Sequence, residues 1–160
     1  MSMASTEFDD GLADPLAGHP STLRPLTHDL VAAVLANRGH AVTVDGGNLV
    51  GRWTEAHIWF LRAGDAGELL QVRTVATHAF PVDVVPTLHH FCNGWNRDRF
   101  WPKAFVHVDD AGQARVCGEV ITDLERGVTP HQLDRLLDRG IATGCRLAAE
   151  VGRIPGTAHR

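Results

Sequence analysis

The chain has no tyrosine, a single lysine (Lys103) and three serines, Ser2, Ser5 and Ser21, all ahead of the first periodic segment. Fifteen Lys and Arg residues less that one lysine leave fourteen arginines. Schiff-base and P-loop chemistry are therefore open only through Lys103, and the folded part offers no serine nucleophile and no tyrosine acid. Cysteine is scarce too. Cys92, Cys117 and Cys145 are far apart and odd in number, which reads as reduced thiols in a cytosolic protein. No apolar run reaches the length of a membrane span, and the acidic N-terminal stretch lacks the basic-then-apolar pattern of a signal peptide. A net charge of −4 and a pI near 6.2 give no electrostatic case for nucleic acid or an anionic membrane. The expectation is a cytoplasmic protein without nucleic-acid or membrane partners.

What is present is globular: 160 residues, 44% hydrophobic and 21% charged, enough for one domain. Residues 1–22 lack apolar periodicity, carry Glu7, Asp9, Asp10 and Asp14, and read as a disordered acidic tail. Residues 23–155 read as one domain. A first helix starts at Thr27, with Leu30, Val31, Val34 and Leu35 as its stripe and Arg38-Gly39 as its stop. The period then changes to two. Val42 and Val44 lead into the hairpin turn Asp45-Gly46-Gly47, and three further strand-like runs cover residues 49–53, 57–62 and 69–77. A second helix is capped by Asp83, tolerates Pro86 in its first turn and turns Val84, Val85, Leu88, Phe91, Cys92 and Trp95 to the core. A hairpin across residues 109–112 follows. Thr129-Pro130-His131-Gln132 then opens the last helix with a capping box. No βαβ crossover is evident. The fold class is α+β, a mainly antiparallel sheet with three helices in the order α-β-β-β(-β)-α-β-β-α.

No arrangement of reactive residues asks for an enzyme, a metal or a cofactor. His89 and His90 are adjacent on a helix and point about 100° apart, not at the i, i+4 spacing zinc uses. Cys92 lies on a buried arc, where a thiol is a small hydrophobe with a raised pKa. Asp109-Asp110 suits a turn, and Glu119, on one strand face with Arg115 and Cys117, suits a cross-strand salt bridge. The aromatic residues stand out more. Along residues 57–62, Ile58 and Phe60 face one way, Trp59 and Leu61 the other. Either helices cover both faces, or one face meets a partner. Trp59, Leu61 and Arg73 are the candidate partner-binding residues on that face. Trp53, Phe91 and Trp95 are the alternative, a small-molecule pocket between the sheet and the second helix. Gly140 and Gly144 leave a groove in the apolar stripe of the last helix, filled either by the chain's own sheet or by a second subunit; the subunit reading makes them a dimer contact.

The segments Phe91-Cys92-Asn93-Gly94-Trp95-Asn96, Trp101-Pro102-Lys103-Ala104 and Val106-His107-Val108-Asp109, with the Gly127-Val128-Thr129 lead into the last helix, resemble the YbjN-domain family over residues 26–152. The resemblance implies a fold similar to type III secretion chaperones, often dimeric, and a label of sensory-transduction regulator without established chemistry. It carries over no catalytic or ligand residue. Asn93 and Asn96 suit ordering of the helix exit through hydrogen bonds to nearby backbone. The arginine-rich, lysine-poor usage resembles a high-GC bacterium such as an actinomycete. The function expected is a non-enzymatic protein- or peptide-binding, chaperone-like regulatory module that forms a homodimer, with a small-molecule-sensing domain as the alternative.

Overall fold

The computed structural model describes residues 15–16 and 21–156. The expected disordered tail therefore lies mostly outside the described residues. Of it, Pro15 and Leu16 form a turn, and Leu16 packs against the core. The first helix, α1 (His28–Asn37), starts where the Thr27 side chain accepts a hydrogen bond from the Leu30 amide, and buries Leu30, Val31, Val34 and Leu35. The strands β1 (Val42–Asp45) and β2 (Asn48–Arg52) meet across Gly46 and Gly47, whose φ values of 56° and 81° are those a two-residue primed turn requires. Then come β3 (Ala56–Ala63) and β4 (Leu69–Ala76), with the alternating burial of strands that have two unlike faces.

After β4 the chain departs from expectation. A two-residue strand, β5 (Phe80–Pro81), pairs with a later strand, and a 3-10 turn follows at Val82–Val84. Asp83 sits within that turn and does not cap the second helix. The pairing of β5 holds the preceding residues in the sheet, so the chain winds tightly before α2 (Val85–Asp98) begins at Val84 without a side-chain cap. β6 (Lys103–Val108) and β7 (Gln113–Asp123) form the final hairpin, and α3 (Pro130–Val151) opens with the full Thr129–Gln132 capping box.

All pairings are antiparallel, and the seven strands make one sheet in the order β1-β2-β3-β4-β7-β5, with β6 on the other side of β7. The molecule is thus α+β with three helices in the expected order. The helices lie on one face. Val72 and Thr74 of β4 meet α3 at Gly140 and Gly144, and Leu147 of α3 meets Gly118 of β7. Ile58, Phe60, Leu70, Val72, Val116, Leu133, Leu137 and Leu147 are buried between the two layers. Arg38, the C-cap of α1, ties that helix to α3 through Asp134 and Asp138. No described helix is long and apolar enough to cross a membrane.

Candidate functional site

The registers fix which side chains share the face away from the helices. Val50, Trp59, Arg73, Glu119 and Lys103 are directly opposite one another across five strands. Leu61, Gln71 and Ile121 form the next row on one side; His57, Val75, Cys117 and Phe105 form it on the other. Among the described residues no helix covers this face. Phe105 is 37% exposed and Ile121 57%.

Its centre is a shallow cleft of about 760 Å³ lined by Trp59, Leu61, Arg73, Val75, Phe105 and Glu119, with Asp45 and Asn48 of the β1–β2 hairpin, His107 and Cys117 also on its lining. In it, Arg73 Nε donates to Glu119 Oε1 at 2.7 Å, the cross-strand pair that Glu119 was expected to make. The pair is half-buried, and its two charges offset each other beside the apolar side chains of Trp59, Leu61, Val75 and Phe105. The three expected residues, Trp59, Leu61 and Arg73, therefore line one cleft. Phe105, His107 and Val75 were missed as members. Alternation along β6 places Phe105 and His107 on one side of that strand, but only the β6–β7 and β4–β7 registers bring that side next to Trp59.

Cys117, the thiol on the lining of the cleft, is not activated. Burial pushes the Cys117 thiol up to about 11, with Arg73 pulling it down and Glu119 pushing it further up. Cys92 is likewise pushed up to about 11 by burial, and burial also raises Cys145. Burial lowers the His57 pKa, and the nearby Arg52 and Arg115 lower it further. Among the described residues no three of His, Cys, Asp and Glu gather as a metal-holding group.

The other candidates fall elsewhere. Gly140 and Gly144 are buried and face the chain's own β4: a Cβ at Gly140 would stand 2.9 Å from Val72 Cγ1, and one at Gly144 2.1 Å from Thr74 Oγ1. The sheet fills the groove these glycines leave, so a dimer contact does not reach them. Trp53, Phe91 and Trp95 do not share a described cavity. Trp53 packs edge-on to Phe60 and lines a depression with Glu55 and Cys145. Phe91 and Trp95 line another with Arg99 and Glu150, where the Arg99 guanidinium lies 4.4 Å over the Trp95 ring. Trp95 is buried and donates its Nε1–H to the Pro102 carbonyl at 2.9 Å. That is a structural role.

The family model described as "YbjN: Putative bacterial sensory transduction regulator" matches residues 27–153. The fold is similar to the crystal structure of E. coli YbjN, described as a putative transcription regulator, with a TM-score of 0.70 and 14% identity, covering 82% of this chain and 95% of that one. No curated protein sequence matches the chain.

Proposed function

This chain belongs to the YbjN family, and we propose that it is a non-enzymatic regulatory module that binds a protein or peptide on the open face of its sheet. The observation that carries the reading is the cleft itself. Among the described residues no helix covers the sheet face that bears Trp59, Leu61, Val75 and Phe105, and apolar side chains left together at a surface mark interaction sites. The Arg73–Glu119 pair gives it orientation, since a peptide laid across it must satisfy or displace a half-buried ion pair. Raised thiol pKa values support a role without covalent chemistry, and three unpaired cysteines suit the reducing cytoplasm. The homodimer belongs to the same proposal, formed through the outer face or the β6 edge because the α3 glycines are taken.

A photo-crosslinking residue in place of Leu61, expressed in the native cell, tests the reading. It should capture a discrete polypeptide, one at Lys103 on the same face should capture the same one, and Trp59→Ala should abolish the adduct while the helical circular dichroism is retained. Absence of an adduct at both positions, or one indifferent to Trp59→Ala, would falsify it. Light scattering reads the homodimer directly, as a mass of twice 17.4 kDa.

A further inference from the structure

The two flanks of α3 are charged differently. On one, Asp134 and Asp138 are both engaged by Arg38. On the other stand Arg135 and Arg139, one turn apart, and among the described residues no carboxylate pairs with either. The Arg139 guanidinium instead lies 4.7 Å over the Trp101 ring, beside Phe100, which is 84% exposed. Both arginines line a groove of about 340 Å³ whose floor is Leu124, Val128 and Leu136; Gln132 is its one further polar side chain, and no carboxylate lines it.

The backbone of Arg24 pairs with Val128 of this floor, and the Arg24 Nη1 donates to the Pro15 carbonyl. Pro15 is thus held one arginine side chain from the groove. The residues before it read Glu7-Phe8-Asp9-Asp10-Gly11-Leu12-Ala13-Asp14: four carboxylates, two large apolar side chains and no base. Eight extended residues span roughly 26–29 Å, against the ~5.4 Å turn that separates the two arginines.

We propose that residues 7–14 dock in this groove of their own chain, their carboxylates on Arg135 and Arg139 and an apolar side chain, Phe8 or Leu12, on the Leu124–Val128–Leu136 floor. A guanidinium fork matches a carboxylate in two parallel hydrogen bonds, and two forks beside an apolar floor suit an acidic segment with a hydrophobic residue inside it. The tether supplies the rest. A short linker holds a segment at an effective concentration on the order of millimolar, so a contact too weak to hold a free peptide is occupied in cis. The groove lies on the helix side of the molecule, and its fate is independent of the outer-face reading.

Amide hydrogen exchange on the full chain at low salt tests this. Residues 7–14 should exchange several-fold more slowly than in the Arg135→Gln/Arg139→Gln variant, and the protection should vanish in molar salt, where the screening length is only ~3 Å. The charge swap Asp9→Arg/Asp10→Arg combined with Arg135→Glu/Arg139→Glu should restore it, which a merely destabilised α3 would not do. Exchange in the wild-type chain at the rate of the free peptide of the same sequence overturns the proposal, as does protection indifferent to both arginines. Protection lost on dilution of about a hundredfold assigns the groove to the segment of a second copy and overturns docking in cis.

Discussion

Gly94 and Gly144 both lie inside helices, and alanine has opposite consequences at the two. A Cβ at Gly94 meets nothing within 4 Å; at Gly144 it would stand 2.1 Å from Thr74 Oγ1 and 3.2 Å from Thr74 Cβ. Helix propensity favours alanine over glycine by about 1 kcal/mol at either place. Against it at Gly144 stands overpacking of a buried contact, a cost of about 1–3 kcal/mol. Gly94→Ala should therefore raise unfolding stability by up to ~1 kcal/mol, and Gly144→Ala should lower it by up to ~2 kcal/mol. Urea titration of the two variants checks both signs. Gly140→Ala belongs with Gly144→Ala, because its Cβ would stand 2.9 Å from Val72. Four-residue spacing already reveals a groove at these positions. What fills it depends on β4, some seventy residues earlier in the chain.

Asn96 acts between elements. Its side-chain amide donates to the Ala104 carbonyl and accepts from the Ala104 amide, both at 2.8 Å, so the exit of α2 serves as a one-residue strand partner for the edge of β6. Removing it leaves a buried donor and acceptor unpaired, at about 1–3 kcal/mol. Asn96→Ala should lower the stability by ~2 kcal/mol and speed hydrogen exchange at Ala104, read by denaturant titration and amide exchange together. Exchange at Ala104 unchanged from wild type would sink this account. The asparagine was legible as a residue that orders the helix exit; its partner on β6 was not, because eight residues separate the two. The capping box of α3 was legible in full, since Thr129 and Gln132 bond within a single turn. The start of α2 was misread because the pairing of β5 with β7, more than thirty residues away, sets where the chain can begin to wind.

At the scale of the molecule the two faces of the sheet differ, and Trp59 and Phe60 measure the difference. Phe60 is buried beneath the helices, whereas Trp59 is half-exposed on the open face. Phe60→Ala should lower the stability by about 3–5 kcal/mol. Trp59→Ala should cost ~1 kcal/mol or less, while removing the partner contact proposed for the cleft; thermal unfolding of the two variants shows whether the faces are this unequal. Alternation along β3 shows that Trp59 and Phe60 point apart, but it cannot say which side the helices take. The three helices, the strands other than β5 and the family resemblance are legible along the chain, because turns, caps and periodicity are local and act within a few residues. That three helices share one face, that α3's glycines belong to β4, and that Phe105 and Val75 complete a cleft around Trp59 emerges only from the packed fold. Each of these rests on strand register and layer packing, contacts between residues far apart in sequence that no local pattern encodes.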